Sequence, residues 1–285
     1  MFKDKNVLVT GSEGMIGREL VEMLEARGAR VKKADLRLGH DLIYFDKCLE
    51  ICKGIEIVFH LAGIKGNPKM TAERPADFFV PMVQFNTNML EAARLSGVKS
   101  FLYTSSIAVL NPETDEYPAW AKMTGEKQIE AYRIQYPDGM KCCIVRPANV
   151  YGRYDNFEAK HAMVITDLIR KAVTGKLEVW GDGSQVRDFV NAKDVALGMI
   201  IVMEKMPQEP INLGSGKEYS IKEIVEIIAK ELSAEVTYDT TKPSGGQKRV
   251  MDISKAQNLG FEPQISIEKG ILEMVEYYKK THQKT

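Results

Sequence analysis

The chain carries no excess charge: 39 Lys plus Arg stand against 39 Asp plus Glu over 285 residues. Without a basic field there is no electrostatic case for binding nucleic acid or an anionic membrane surface. Long hydrophobic runs are also missing, and none approaches the roughly 18 to 20 apolar residues that span a bilayer. Met1-Phe2-Lys3-Asp4 lacks the texture of a signal peptide, because a strand-like run opens at Asn6; a cytoplasmic setting is expected. Cysteine is scarce: Cys48 and Cys52 lie one helical turn apart, and Cys142 and Cys143 are adjacent in an apolar run. Neither pair has a nearby His to complete a zinc set, so no metal is expected, and the four read as reduced, buried small hydrophobes. Internal repeats and low-complexity segments are absent as well.

What is present is alternation. Residues 6–10, 30–34, 57–61, 100–104 and 141–146 read as strands, and 18–27, 47–53, 81–96 and 122–136 as helices. Short connections between them predict a parallel sheet wrapped by helices on both faces. After Arg146-Pro147 the texture changes to a polar loop over 151–160, helices over 163–174 and 194–204, and short strands at 177–180 and 211–214. Helices over 221–232 and 267–280 follow, separated by a loop over 240–247 that holds Pro243, Gly245 and Gly246. The last third therefore reads as a smaller cap packed directly on the main sheet, and the cleft between them is the default substrate site.

The opening strand runs into Thr10-Gly11-Ser12-Glu13-Gly14-Met15-Ile16-Gly17 and then an amphipathic helix. Three glycines at spacing three allow a tight turn, close approach of backbone to a pyrophosphate, and close packing of helix on strand. The helix N-terminus presents free N–H groups and a positive dipole end to the anion. About twenty residues on, the next strand ends in Asp35, placed to accept from an adenosine ribose. Strand, glycines, helix, strand and acid in this order predict a dinucleotide site.

Further fragments follow in order: His60-Leu61-Ala62-Gly63, Thr104-Ser105-Ser106, Trp120-Ala121-Lys122, and Arg146-Pro147-Ala148-Asn149-Val150-Tyr151-Gly152. Then come Gly181-Asp182-Gly183-Ser184-Gln185-Val186-Arg187-Asp188-Phe189 and Met251-Asp252-Ile253-Ser254 with Leu259-Gly260-Phe261. Over essentially its whole length the chain resembles the extended short-chain dehydrogenases of the nucleotide-sugar epimerase/dehydratase family. Lys65-Gly66, Arg74-Pro75-Ala76-Asp77-Phe78 and Tyr154-Asp155-Asn156-Phe157 look most like the GDP-fucose synthase branch. The resemblance implies a Rossmann-like doubly wound α/β sheet with a smaller C-terminal α/β cap. Residues 1–150 plus 177–209 would form the NAD-binding domain, and 151–176 plus 210–285 the nucleotide-sugar-binding cap.

In that family a tyrosinate takes the sugar hydroxyl proton as hydride leaves for nicotinamide. A Lys four residues later lowers the tyrosine pKa and holds the nicotinamide ribose, and a Ser or Thr bonds the same sugar oxygen. Lys122 and Ser106 match these positions. Four residues before Lys122 stands Pro118, and the nearest tyrosine, Tyr117, is five back. In a helix, the fifth residue is rotated by about 100° from the fourth. Pro118 suits a first helical turn and would leave Tyr117 just outside it. Either Tyr117 reaches the sugar through a local change in that turn, or the chain has lost the tyrosine and uses another base or none.

By the same resemblance the cofactor is NAD, held by Gly11, Glu13, Gly14, Met15, Ile16 and Gly17, by Asp35, Leu36 and Arg37, and by Asp41 and Leu42 at the adenine. Leu61, Ala62, Gly63, Thr104, Lys122 and Pro147 complete that set. Asp35 and Glu13 would repel the 2′-phosphate of NADP, while Arg37 offsets part of the repulsion; Asp41 reads alternatively as part of a solvated loop. The substrate would meet Lys65, Ser106, Asn149, Arg187 and Arg249. Asn149 would bond the diphosphate, or else is a turn residue. Arg187 would pair bidentately with phosphate, or else forms a salt bridge with Asp188. Arg249 would meet ribose or phosphate, or is solvated, and Trp180 lines the base pocket or is core.

Reaction type is sorted by what is missing. A 4,6-dehydratase carries an acid pair directly after the hydroxyl residue, where this chain has Ile107 and Ala108. A fucose-synthase-type 3,5-epimerase needs a Cys in the Ser-rich strand end and a His on the next substrate helix. No Cys follows Thr104 here; the His position falls on Met163, and His161 reads as a loop residue. What is left is C4 epimerisation through a transient 4-keto sugar, which consumes no net cofactor. The alternatives are a 4-keto-sugar reductase using NAD(P)H and a catalytically impaired NAD-binding member. A homodimer through helices 81–96 and 122–136 is expected.

Overall fold

The computed structural model describes residues 1–66, 68–114, 116–158, 162–242 and 248–282. Strand β1 (Asn6–Thr10) buries Val7, Leu8 and Val9 completely, as a strand covered on both faces must. Helix α1 (Met15–Ala26) leaves the glycine turn and turns Leu20, Val21 and Leu24 inward. β2 (Arg30–Ala34) is the edge strand, and its Arg30 and Lys33 face solvent, which blunts edge pairing. Then follow α2 (Phe45–Cys52), β3 (Ile57–His60), α3 (Pro68–Glu73), α4 (Pro75–Leu95), β4 (Ser100–Thr104), α5 (Glu116–Gln135) and β5 (Lys141–Pro147). The remainder comprises β6 (Asn149–Tyr151), α6 (Val164–Ala172), β7 (Lys176–Trp180), β8 (Val186–Arg187), β9 (Phe189–Asn191) and α7 (Ala192–Lys205). It closes with β10 (Ile211–Leu213), β11 (Tyr219–Ser220), α8 (Ile221–Leu232), β12 (Glu235–Asp239), α9 (Ser254–Asn258) and α10 (Ile267–His282).

The main sheet has the order β10-β5-β4-β3-β1-β2, with every neighbouring pair parallel. One face packs Val7, Val9, Phe59 and Val145 against Leu20 and Leu24 of α1 and Val195 and Met199 of α7. The other packs Leu8, Val58, Phe101 and Ile144 against Ile51 of α2, Met82 and Met89 of α4 and Ile129 of α5. This is the Rossmann-like doubly wound α/β sheet. From β1 the chain passes to β2 on one side and β3 on the other. That reversal opens a crevice beyond the C-terminal ends of β1 and β3, where such sheets receive ligands. A third core, in the C-terminal part, gathers Leu168 and Ile169 of α6, Leu177 and Val179 of β7, Ile224 and Ile228 of α8 and Ile271 and Met274 of α10.

The packing departs from the sequence-based division at two places. β7 pairs with β12 and buries Leu177 and Val179 in the cap core, because alternate residues of this polar strand have only that core to cover them. β10 pairs with β5 in the main sheet, and Met251, Ile253 and Phe261 join the α1/α7 core. α4 also starts six residues earlier than expected: Pro75 occupies its first turn, and Pro81 is accommodated inside. The four cysteines are buried and unpaired, and burial pushes the thiols of Cys48, Cys52 and Cys142 up to about 12. Among the described residues, no helix is long and apolar enough to cross a membrane.

Candidate active site

The turn after β1 is built by glycine. Gly11 has φ +67°, and a Cβ there would stand 3.0 Å from the Ala62 amide nitrogen in the loop after β3. A Cβ at Gly17 would run into the Gly11 carbonyl, so α1 lies against the turn only with glycine at that position. Gly14 is the N-cap of α1 and brings no capping side chain, which leaves the helix's first amides to an anion. Backbone from Gly11 to Gly17 and from Leu61 to Gly63 thus forms a cradle of the kind a dinucleotide pyrophosphate fits. Met15 is buried beneath it, and Ile16 packs on the adjoining core.

At the end of β2, Asp35 accepts from the Glu13 amide at 3.1 Å and the Arg37 amide at 3.0 Å, one on each carboxylate oxygen. The Glu13 carboxylate is paired with Arg18 at 2.8 Å, and Arg37 donates to the Glu13 carbonyl at 2.9 Å. The acid rim expected from sequence is therefore assembled, and Arg18 joins it as a partner that the spacing alone did not single out. Leu36 stands exposed at the rim. Asp41 accepts from the Ile43 amide, whereas Leu42 is packed into the core beside α2 and α4.

On the far side of the crevice, β4 ends in three hydroxyls. Thr104 and Ser105 are buried with hydroxyls that have no partner. Ser106 accepts from the Ala108 amide at 3.1 Å, which leaves its own proton to donate. Lys122 of α5 donates to the Thr104 carbonyl at 2.8 Å and lies over the Tyr103 ring, and burial pulls its ammonium down to about 8. The structure thus brings Thr104, Ser106 and Lys122 together at one strand end, with Pro147 buried at the end of the neighbouring β5. Tyr117 is a different matter. α5 begins at Glu116, so Tyr117 lies inside the first turn rather than just outside it as expected. Five residues of regular helix turn it about 140° from Lys122, and its side chain is 42% exposed. Pro118 at the next position does not displace it, because a first turn needs no proline N–H.

The substrate candidates split. Arg187 and Arg249 face each other across an isolated parallel bridge between β8 and the 248–250 segment. Burial and then the Arg249 charge hold the Arg187 pKa below its ordinary value, the signature of two guanidinium groups gathered in one place. Asp188 does not serve as a surface partner: it is fully buried and accepts from the Ser215 amide and hydroxyl and the Gly216 and Met251 amides. Asn149 opens β6, and its side-chain amide donates to the Asp188 carbonyl at 2.9 Å. Lys65 pairs with the buried Asp155 at 3.2 Å, and Asp155 also accepts from Thr166 of α6 at 2.6 Å, tying the loop after β3 to the cap. Trp180 is exposed on β7, so it is not core. Met163 precedes α6 and is exposed, and His161 lies outside the described residues.

A switch-point cradle, an acid rim and a Ser–Lys strand end define a dinucleotide-dependent enzyme of the Rossmann type, and comparison with known proteins narrows the class. Residues 7–214 match the NAD dependent epimerase/dehydratase family, and the chain belongs to it as an extended short-chain dehydrogenase/reductase. A GDP-L-fucose synthase of Arabidopsis thaliana is 29% identical, with 98% of this chain and 94% of that protein covered. A UDP-glucose 4-epimerase from Thermotoga maritima, solved with UDP-glucose, is 26% identical at TM-score 0.86, covering 97% of this chain and 99% of that one. A GDP-mannoheptose C4 reductase from Campylobacter jejuni with NADP bound is 25% identical at TM-score 0.85, covering 98% and 99%. The protein is accordingly a nucleotide-sugar-modifying, NAD(P)-dependent enzyme of the epimerase/reductase kind.

Proposed function

We propose that this enzyme epimerises a nucleoside-diphosphate sugar at C4 through a transient 4-keto intermediate, with NAD as the cofactor. The observation that supports the reading is Asp35, held at the end of β2 by the Glu13 and Arg37 amides, whose carboxylate suits a free ribose 2′-hydroxyl and so NAD retained across two opposite half-reactions, while the Glu13 carboxylate beside it is paired with Arg18. Bound NAD supplies reversible hydride acceptance at nicotinamide. Lys122 holds the nicotinamide ribose, and because burial brings its pKa down to about 8, its neutral amine takes the sugar hydroxyl proton through the Ser106 hydroxyl and its ammonium returns it in the reverse half-reaction. Arg187 and Arg249 pair with the diphosphate, and Asn149 and Lys65 line the path to it. The positions after Ser106 hold Ile107 and Ala108, which supply no acid for eliminating water.

A second reading, net reduction of a 4-keto sugar by NAD(P)H, is favoured by the likeness to a C4 reductase with NADP bound. Purified protein with NAD, incubated with UDP-, GDP- and dTDP-hexoses and analysed by anion exchange and NMR, separates the two. A C4 epimer formed without net NADH supports epimerisation, and stoichiometric oxidation of NADPH by a 4-keto sugar overturns it. We also propose a homodimer through the outer faces of α4 and α5, where Val80, Trp120 and Ile134 are exposed. Light scattering that gives a monomer at micromolar concentration would refute that assembly.

A further inference from the structure

Beneath the crevice runs a line of polar side chains buried in an otherwise apolar layer: Thr10 of β1, His60 of β3, Asn86 of α4 and Tyr103 of β4. The Thr10 hydroxyl accepts from the Ala62 amide at 3.2 Å and shares the Leu61 amide with its own carbonyl, each at 3.2 Å, and its proton goes to His60 Nδ1 at 2.7 Å. His60 therefore carries its proton on Nε2 and donates to Asn86 Oδ1 at 2.9 Å. That fixes the Asn86 amide, whose Nδ2 donates to the Tyr103 hydroxyl at 3.1 Å. The Tyr103 hydroxyl in turn donates to the Lys122 carbonyl at 3.4 Å. Every member is used in one direction, from the amides of the dinucleotide cradle to the backbone of α5. Gly125 on α5 permits the last contact, since a Cβ there would enter the Tyr103 ring and hydroxyl. Glu126, one residue on, is held away by a bidentate pair with Arg146 at 2.8 and 2.5 Å.

Apolar residues of similar volume would fill this layer without the desolvation cost of four polar groups, so packing alone does not account for the line. We infer that His60, Asn86 and Tyr103 are positioning residues, a neutral directional relay that fixes the depth of Lys122 against the turn receiving the dinucleotide. The inference rests on the proposed role of Lys122 in the reaction, but its test does not need a sugar substrate.

The full chain would be examined as Tyr103→Phe, which removes one oxygen and keeps the ring, as Thr10→Val and Thr10→Ser, and as the Tyr103→Phe/Thr10→Val double variant. Two readouts serve: the titration of Lys122 by NMR of carbon-13-labelled lysine, assigned with Lys122→Arg, and NAD affinity by calorimetry. Tyr103→Phe is expected to let α5 relax outward, so that Lys122 titrates higher, toward ordinary lysine, and NAD binds about tenfold more weakly. Thr10→Val should move both readouts in the same directions, and the double variant should lose less than the product of the single losses. Thr10→Ser, which keeps the hydroxyl, should behave as wild type and would decide the matter if Thr10→Val failed to fold. A Lys122 titration unchanged in Tyr103→Phe, or a Thr10→Val that weakens NAD without moving Lys122, would overturn the relay. Absence of turnover on every sugar would count against the proposed reaction and leave both readouts intact.

Discussion

Acidification should unfold this protein partly through His60. A free histidine titrates near 6.5. In the fold, burial first and the Lys122 charge second push His60 down to about 3, against a smaller opposing effect of its bond to Asn86. The folded value lies below the unfolded one, so between the two the unfolded chain binds a proton that the native chain refuses. The stabilisation from keeping His60 neutral is fully present above about pH 6.5 and is lost as pH falls toward about 3. At 1.36 kcal/mol per unit, a drop to about pH 4.5 removes about 3 kcal/mol, a large part of the 5–15 kcal/mol typical of a domain. Carboxylates also lose their native contacts in acid, so the test is a difference. Urea unfolding followed by circular dichroism would be run on wild type and His60→Gln at several pH values between about 7 and 4.5. The variant is less stable at neutral pH, and the gap should narrow by about 2–3 kcal/mol on acidification, because Gln does not titrate. A gap that stays constant with pH would refute the buried, neutral histidine.

Other consequences are more local. Gly17→Ala forces a methyl into the Gly11 carbonyl and should cost about 1–3 kcal/mol in thermal unfolding together with loss of measurable NAD binding. Tyr117→Phe should leave turnover within about twofold, because α5 turns that hydroxyl about 140° from Lys122; a loss of about a hundredfold would restore tyrosine as the base. Arg187→Met should raise KM for the nucleotide sugar about 10–100-fold with a smaller change in kcat, the loss of about 1.5–3 kcal/mol for charged hydrogen bonds. Lys122→Met should abolish turnover and yet raise stability at neutral pH by about 3 kcal/mol. The reason is that burial lowers the ammonium to about 8, and the native state regains that cost only as pH rises from there toward 10.5. Chemical denaturation of the two proteins at about pH 7 and 10 checks the sign.

Much of the fold was legible because its signals are local. Val7, Leu8 and Val9 are buried on both faces of a parallel sheet, and such strands read as unbroken apolar runs. The cradle was legible for the same reason, since Gly11, Gly14 and Gly17 answer steric demands set within a few residues of each other. β7 and β10 were harder: each is a short strand, and which sheet it joins depends on pairing partners 59 or more residues away, Glu235–Asp239 for one and Val145–Pro147 for the other. The alternative of a surface salt bridge between Arg187 and Asp188 stayed open in the sequence because adjacency is visible there and the burial of Asp188 is not. The His60 line was hidden in another way. His60 stands in a recognisable fragment, yet its meaning comes from Thr10, Asn86 and Tyr103 on three other elements.

The register at Pro118 shows where spacing and structure have to be taken together. From spacing alone, two outcomes stood open, and a distorted first turn would have let Tyr117 serve. α5 is assigned from Glu116, which puts Tyr117 in its first turn, and in regular helix geometry the position that shares a face with Lys122 is Pro118. Neighbouring groups at that strand end are Ser106 with a proton to donate, Thr104 and Ser105 with unpartnered hydroxyls, and an ammonium that burial has brought near neutral pKa. A tyrosine would ordinarily need Lys122 to lower its pKa by several units before it worked as a base near neutrality. On the proposed reading, in which Pro118 takes the tyrosine's place on that face, Lys122 itself, with burial bringing its pKa down to about 8, releases and recovers the proton. The pH dependence of turnover should then show a limb near 8 that follows Lys122. A limb that moves with Tyr117→Phe instead would place the proton on tyrosine and make the helix's first turn, rather than its lysine, the point of control.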